Sequence, residues 1–167
     1  GTWYIENGDI SISAGESGND VTQNGETTKN DTDTVITNRD TSTASSNTVT
    51  IDADEGKTVN VTLDNVTINV DEGYEHGYDP NAYKTAVSVT GSGNTNIELN
   101  GNNTLTSGYG HAGLEHNKTD DSGTLTIQDE KNDDGSAKGS ASDTTGSLTA
   151  TGGYHSAGIG GSDKQDG

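Results

Sequence analysis

The sequence predicts an all-β solenoid, a right-handed parallel β-helix of pectate-lyase-like architecture, and three observations carry that expectation. Apolar residues come in short alternating runs separated by Gly, Asn and Asp, the pattern of strands joined by turns. The runs at 85–89, 96–99 and 104–109 are followed by 111–114 and 124–127, so that one extended unit stops and begins again. A fixed period of about 20 to 50 residues marks stacked repeats. Finally, only 25% of the chain is hydrophobic, without Cys, Met or Phe, and the net charge is -19. Such a composition cannot fill a broad core, but it suffices for a thin column in which each turn covers the one below. The hand follows the preference for right-handed crossovers between parallel strands.

Taken in order, residues 1–47 read as an N-terminal cap and irregular first turn of a single domain spanning 1–167. Residues 2–5 and 9–13 are its first strands, and Trp3, the only tryptophan, is placed to cover the end of the column. The Gly-, Asn- and Thr-rich stretch from Ala14 to Asp33 reads as a polar loop leaving the stack, Val35 and Ile36 as a return, and 37–47 as a second excursion. Regular repeats begin at 48 and run to 167. The first uses Val49 and Ile51, then Val61 and Leu63 inward with Asn60 and Thr62 outward, a corner at Asp64-Asn65, and Val66, Ile68 and Val70. The second uses Val87, Val89, Ile97, Leu99, a corner at Asn100 to Asn103, and Leu105. The third uses Ala112, Leu114, Leu125, Ile127, Leu148 and Ala150.

Spacing sets the expected register. Ala86 to Ala112 is 26 residues, Ile97 to Leu125 and Leu99 to Ile127 are both 28, and Ala112 to Ala157 is 45. The excess falls in polar insertions at 71–84 and 129–145, which leave core contacts untouched. Asn65 and the pair Asn102-Asn103 fall at one corner, where asparagine accepts left-handed conformations and its amides can form ladders. Thr-x-Thr occurs at Thr104, Thr124 and Thr149, but the three copies do not share one position of the repeat and read as outward strand residues.

Strong acidity repels nucleic acid and anionic membranes, and no apolar run approaches the roughly 20 residues of a spanning helix, so both are excluded as partners. The chain opens at Gly1 and stops at Gly167, just after a motif that opens a new turn, which leads to the expectation of a piece of a larger protein.

Residues 148–153 (Leu-Thr-Ala-Thr-Gly-Gly) followed by 157–161 (Ala-Gly-Ile-Gly-Gly), with 105–108 followed by 112–114, resemble a phrase that recurs once per turn in bacterial surface proteins. Over about residues 48–161 the chain is similar to the β-helical carbohydrate-binding domains and adhesins of Gram-positive bacteria with GIGG-type repeats. The resemblance implies a secreted module on the cell surface, anchored to the wall through segments outside this sequence. It also implies a polysaccharide or host-surface glycan as partner, with acidic polysaccharide and calcium among the ligands of relatives.

The candidate site is read from the residues themselves. Tyr83, Tyr109 and Tyr154 each precede an alanine by three residues, so they are expected to stack in one column, offering rigid half-apolar surfaces and phenols to sugar rings. Tyr74 and Tyr78 in the 71–83 loop, and His111, join them as candidate carbohydrate-binding residues. Asp71, Glu72, Glu75 and Asp79, and the pair Asp120-Asp121, are candidate metal ligands, because clustered hard oxygens suit calcium. An acidic chain holding an acidic sugar would need that cation between the two sets of carboxylates. No catalytic residue is expected. A lyase would need a base beside bound calcium, and Arg39, the only arginine, lies outside the repeats. The pair Asp120-Asp121 and the His111 triplet resemble polygalacturonase motifs in reversed order and without the Arg-x-Lys that should follow. The sequence thus points to a non-catalytic adhesion module recognising carbohydrate. A structural stalk, an adhesin for a host protein and a degenerate polysaccharide lyase are the alternatives.

Overall fold

The computed structural model describes residues 1–70, 83–118, 122–132, 134, 136 and 146–167. These residues form fourteen strands and one 3-10 turn (Ile5–Asn7). In chain order the strands are β1 (Thr2–Tyr4), β2 (Ile10–Ala14), β3 (Asn19–Gln23), β4 (Glu26–Asp31), β5 (Val35–Thr37), β6 (Val49–Asp52) and β7 (Thr58–Asp64). They continue with β8 (Thr67–Asn69), β9 (Val87–Thr90), β10 (Asn94–Thr106), β11 (Leu114–His116), β12 (Thr124–Asp129), β13 (Gly146–Thr151) and β14 (Ile159–Gly160).

Two seven-stranded sheets result, and neither closes into a barrel. One runs β1-β5-β7-β10-β12, with β8 and β13 paired to the second half of β10, and all of its pairings are parallel. The other runs β14-β11-β9-β6-β2-β3-β4 and is parallel as far as β2, then antiparallel. Strands far apart in sequence lie side by side, since β6, β9 and β11 are neighbours in one sheet while β7, β10 and β12 are neighbours in the other.

Alternation within each strand sets the core. Val61 lies level with Ile97 and Ile127, Leu63 with Leu99 and Ile36, and Ile68 with Leu105 and Ala150. In the other sheet Val49, Val87 and Leu114 form one inward row and Ile12, Ile51 and Val89 the next. Apart from Ile127 and Ala150 these residues join one continuous buried cluster, against which Trp3, Leu125, Ile127 and Leu148 pack half-buried. Outward residues bond from strand to strand, as Thr124 donates to Asn94 (2.6 Å), Asn96 to Asn60 (2.9 Å) and Gln128 to Glu98 (3.3 Å).

Several expectations change. The stretch from Ala14 to Asp33 is not a loop leaving the stack but a β3–β4 hairpin that extends the second sheet and buries Val21. Its turn is Asn24-Gly25, both residues left-handed (φ 54° and 78°), as a two-residue hairpin of the primed type demands. The register between β10 and β12 is Ile97 with Ile127 and Thr95 with Leu125, two residues away from the 28-residue spacing. Val87 pairs with Leu114, which sets Ala86 against Gly113 and not Ala112. The strand β12 extends to Asp129, so the insertion starts one residue later than expected.

The corner asparagines bond to neighbouring backbone instead of stacking amide on amide. Asn65 and Gly101, each just past the level pair Asp64 and Asn100, are both left-handed, and Asn65 Oδ1 accepts from Asn102 N (3.2 Å). Buried Asn103 accepts from Val66 N (2.8 Å), and Asn38 accepts from Thr67 N (2.8 Å). Two of the Thr-x-Thr copies do align, Thr104 with Thr149 and Thr106 with Thr151, while Thr124 lies in the other ladder of β10.

Candidate functional site

Two turns of the same form carry two of the tyrosines. In Gly108-Tyr109-Gly110-His111 the fourth amide donates to the first carbonyl (3.1 Å), and Gly153-Tyr154-His155-Ser156 repeats that bond at 3.1 Å. Gly110 (φ 75°) and His155 (φ 63°) occupy the third position in left-handed conformation, so each tyrosine stands second in its turn. Backbone bonds tie the turns together: Gly108 N donates to Lys84 O (2.8 Å), Gly110 N to Tyr154 O (3.0 Å) and Gly153 N to His111 O (3.0 Å). The rings follow. Tyr83 and Tyr109 have centroids 5.1 Å apart at 35°, and Tyr109 and Tyr154 have centroids 5.6 Å apart at 30°.

Tyr154 stays in the column although Leu148 to Ala157 is nine residues where Leu105 to Ala112 is seven, because Leu105 pairs with Ala150 and each tyrosine follows its member of that pair by four. Glycine matters here, since a Cβ on Gly153 would lie 1.9 Å from Gly108 O and 2.7 Å from Tyr109 N. Only bare backbone lets the two turns approach to ring-stacking distance. The tilted rings cover part of one another, so the column offers less open ring face than expected from sequence. Tyr154, 67% exposed, is the rung most open to solvent, and His155 meets it edge-on with centroids 4.1 Å apart.

Beside the column lies a polar network that sequence reasoning found only in part. His111 Nδ1 is 3.0 Å and 3.2 Å from the two carboxylate oxygens of Glu115. Ala112 N donates to Glu115 Oε1 (3.2 Å) and Thr85 Oγ1 donates to Oε2 (3.1 Å). Glu115 is an outward residue of β11, yet its side chain is only 3% exposed, while that of His111 is 30% exposed. Its level neighbours, Ser88 and Gly160, are small enough to leave room. The next residue, His116, stands level with Val89 in an inward row. Burial, with the charge of Lys118 behind it, holds its imidazole below the ordinary histidine value.

Tyr74, Tyr78, Asp71, Glu72, Glu75, Asp79, Asp120 and Asp121 lie outside the described residues. Among the described residues no three His, Cys, Asp or Glu side chains converge as a metal site would require. Arg39 sits over the ring of Tyr4, 4.4 Å from its centroid. A cavity of about 570 Å³ lies elsewhere, where Gly15, Glu16, Asn19, Asp31, Lys57 and Asn60 meet. It offers hydrogen bonds but no aromatic ring. Among the described residues no helix is long and apolar enough to cross a membrane. No family model, no curated protein and no solved structure matches this chain.

Proposed function

We propose that the chain is a right-handed parallel β-helix of the GIGG-repeat adhesin kind, working as a non-catalytic, carbohydrate-binding module of a secreted bacterial surface protein. The single observation that carries the reading is the tyrosine column. Three rings at spacings of 5.1 and 5.6 Å repeat one phenol per turn along one edge. A polymer with regularly spaced hydroxyls meets such an edge at every step, and the amphipathic ring suits a sugar's mixed surface. Calcium enters through the carboxylates of residues 71–79, which adjoin this edge in sequence at Tyr83, and through those of 120–121. The position of Arg39 over Tyr4 favours a binding role over lyase chemistry, since a cation held on a ring is not poised as a base.

The test is a glycan array, read with and without EDTA, on the wild type and on the triple variant Tyr83→Ala, Tyr109→Ala, Tyr154→Ala. Binding should fall more than about tenfold in the variant, because each lost aromatic contact removes about 1 kcal/mol. Absence of binding by the wild type in both conditions removes carbohydrate from the reading. Retained binding by a folded triple variant moves the site off the column.

A stalk that projects another domain is the second reading. It is favoured by the strand-to-strand bonds among Thr124, Asn94, Asn96, Asn60, Gln128 and Glu98, which stiffen the outer face without offering it to a ligand.

A further inference from the structure

We propose that His111 is a specificity-determining residue of the tyrosine edge, and that Glu115 and Thr85 are positioning residues. They fix its imidazole with the proton on Nδ1, leaving Nε2 as an acceptor for a hydroxyl of the bound sugar. The inference rests on the reading of that edge as a carbohydrate surface and names what this part of it selects.

The hydrogen-bond accounting is closed. Glu115 Oε1 already receives the Ala112 amide and Oε2 the Thr85 hydroxyl, at 3.2 and 3.1 Å. Both oxygens therefore act as acceptors, and Nδ1, within 3.0 and 3.2 Å of them, must supply the proton between it and the carboxylate. A neutral imidazole carries one N–H, so Nε2 keeps only a lone pair. The carboxylate is almost wholly buried while the ring is partly exposed, so the pair runs from the interior to the surface with its fixed end inside. Water does not reach the buried end to release the ring, and Gly153 N holds the His111 carbonyl from the neighbouring turn (3.0 Å).

This arrangement polarises the edge. The phenols of Tyr83, Tyr109 and Tyr154 can donate or accept, whereas Nε2 of the neutral ring only accepts. A ligand must bring a donor to that point. A sugar hydroxyl qualifies, and a uronate carboxylate or a sulfate facing it does not, because two acceptors repel and each is left unpaired. The substrate class at this position is therefore a neutral polyhydroxy unit, even where charged units lie further along the chain.

The experiment has two arms on the full chain at pH 8. In the first, long-range proton–nitrogen correlation on histidine-labelled protein, with His111 assigned by its absence in His111→Phe, reads the tautomer. The Nδ1–H pattern is expected in the wild type and a mixture in Glu115→Gln, whose amide cannot accept at both oxygen positions. The Nε2–H pattern in the wild type overturns the proposal. In the second, affinity electrophoresis compares hydroxyethyl cellulose, soluble xylan and polygalacturonate. His111→Phe, which keeps a ring at this partly exposed position, should weaken retardation by a neutral polysaccharide about tenfold, the size of one well-placed hydrogen bond. Unchanged retardation of His111→Phe, or wild-type preference for polygalacturonate, overturns the specificity role. Failure of all three polymers to retard the wild type overturns the sugar reading of the edge and the selectivity with it. An Nδ1–H tautomer in the same sample then locates the error in the ligand and not in the geometry.

Discussion

At the scale of single residues, two histidines with opposite settings lie five positions apart in the chain. His111 points out beside the tyrosines, and His116 points in, level with Val89 and Ile51. Burial lowers the proton affinity of His116, with Lys118 adding to it. An unfolded histidine titrates near about pH 6.5. The unfolded chain therefore takes up a proton at higher pH than the folded chain does. Stability is full above that value and is lost as pH falls from it toward the lowered folded value. Urea melts from about pH 7.5 down to 5 should show the wild type losing stability relative to His116→Leu, whose side chain suits the row. The two proteins are compared because loss of carboxylate repulsion acts on both alike. Parallel profiles would show that His116 is not shielded from protons.

The offset of Tyr109 and Tyr154 was legible because a turn of fixed length places its second residue at a fixed distance from the strand that follows, ahead of Leu114 and Ile159 alike; Tyr83 stands one residue nearer Val87 and still stacks on Tyr109. Glu115 was not legible. An outward glutamate in a strand ordinarily meets water, and its burial here depends on Thr85 from the preceding turn of the chain and on two small level neighbours.

At the scale of elements, the alternation of Ile97-Glu98-Leu99 and Leu125-Thr126-Ile127 shows which face of each strand turns inward, but a slide of two residues preserves every face. That is why the faces were readable while the pairing of Ile97 with Ile127 was not. The β3–β4 hairpin did carry a readable signal in Asn24-Gly25. Polar composition concealed it, since β4 is exposed along almost its whole length and has no apolar alternation to show.

The paired turns bearing Tyr109 and Tyr154 yield a prediction at this level. Gly153→Ala places a methyl against Gly108 O, and backbone cannot move aside as a flexible side chain can. The upper turn should shift, separating Tyr154 from Tyr109 while Tyr83 and Tyr109 stay stacked. Near-ultraviolet circular dichroism should lose the Tyr154 contribution, and stability should drop by about 1–3 kcal/mol. A spectrum and a melt identical to wild type would mean that the close approach does not hold the column.

For the whole molecule, a charge of -19 on 167 residues opposes compaction, so added sodium chloride should raise Tm gradually by screening. Calcium is expected to do more. At constant ionic strength, submillimolar free calcium should raise Tm further, with saturation, because an ion that binds only the folded chain stabilises it by mass action. A response to calcium that follows ionic strength alone removes calcium from the functional reading.

The antiparallel hairpin at the edge of the second sheet has a consequence in time. Every parallel ladder joins residues well separated in the chain, Val87 with Leu114 27 residues on and Asn103 with Leu148 45 residues on. Each such pairing must close a long loop before any contact repays it, which makes parallel stacking slow. The hairpin needs no such closure, since Gln23 pairs with Glu26 across a two-residue turn and β2 then lies alongside β3. Pairings of that kind form within about 1–10 μs. The antiparallel run β2-β3-β4 is thus the part of the described sheets that the chain can make immediately. It precedes β6, β9 and β11 in the chain, and it can serve as the ready edge on which they are laid down in turn.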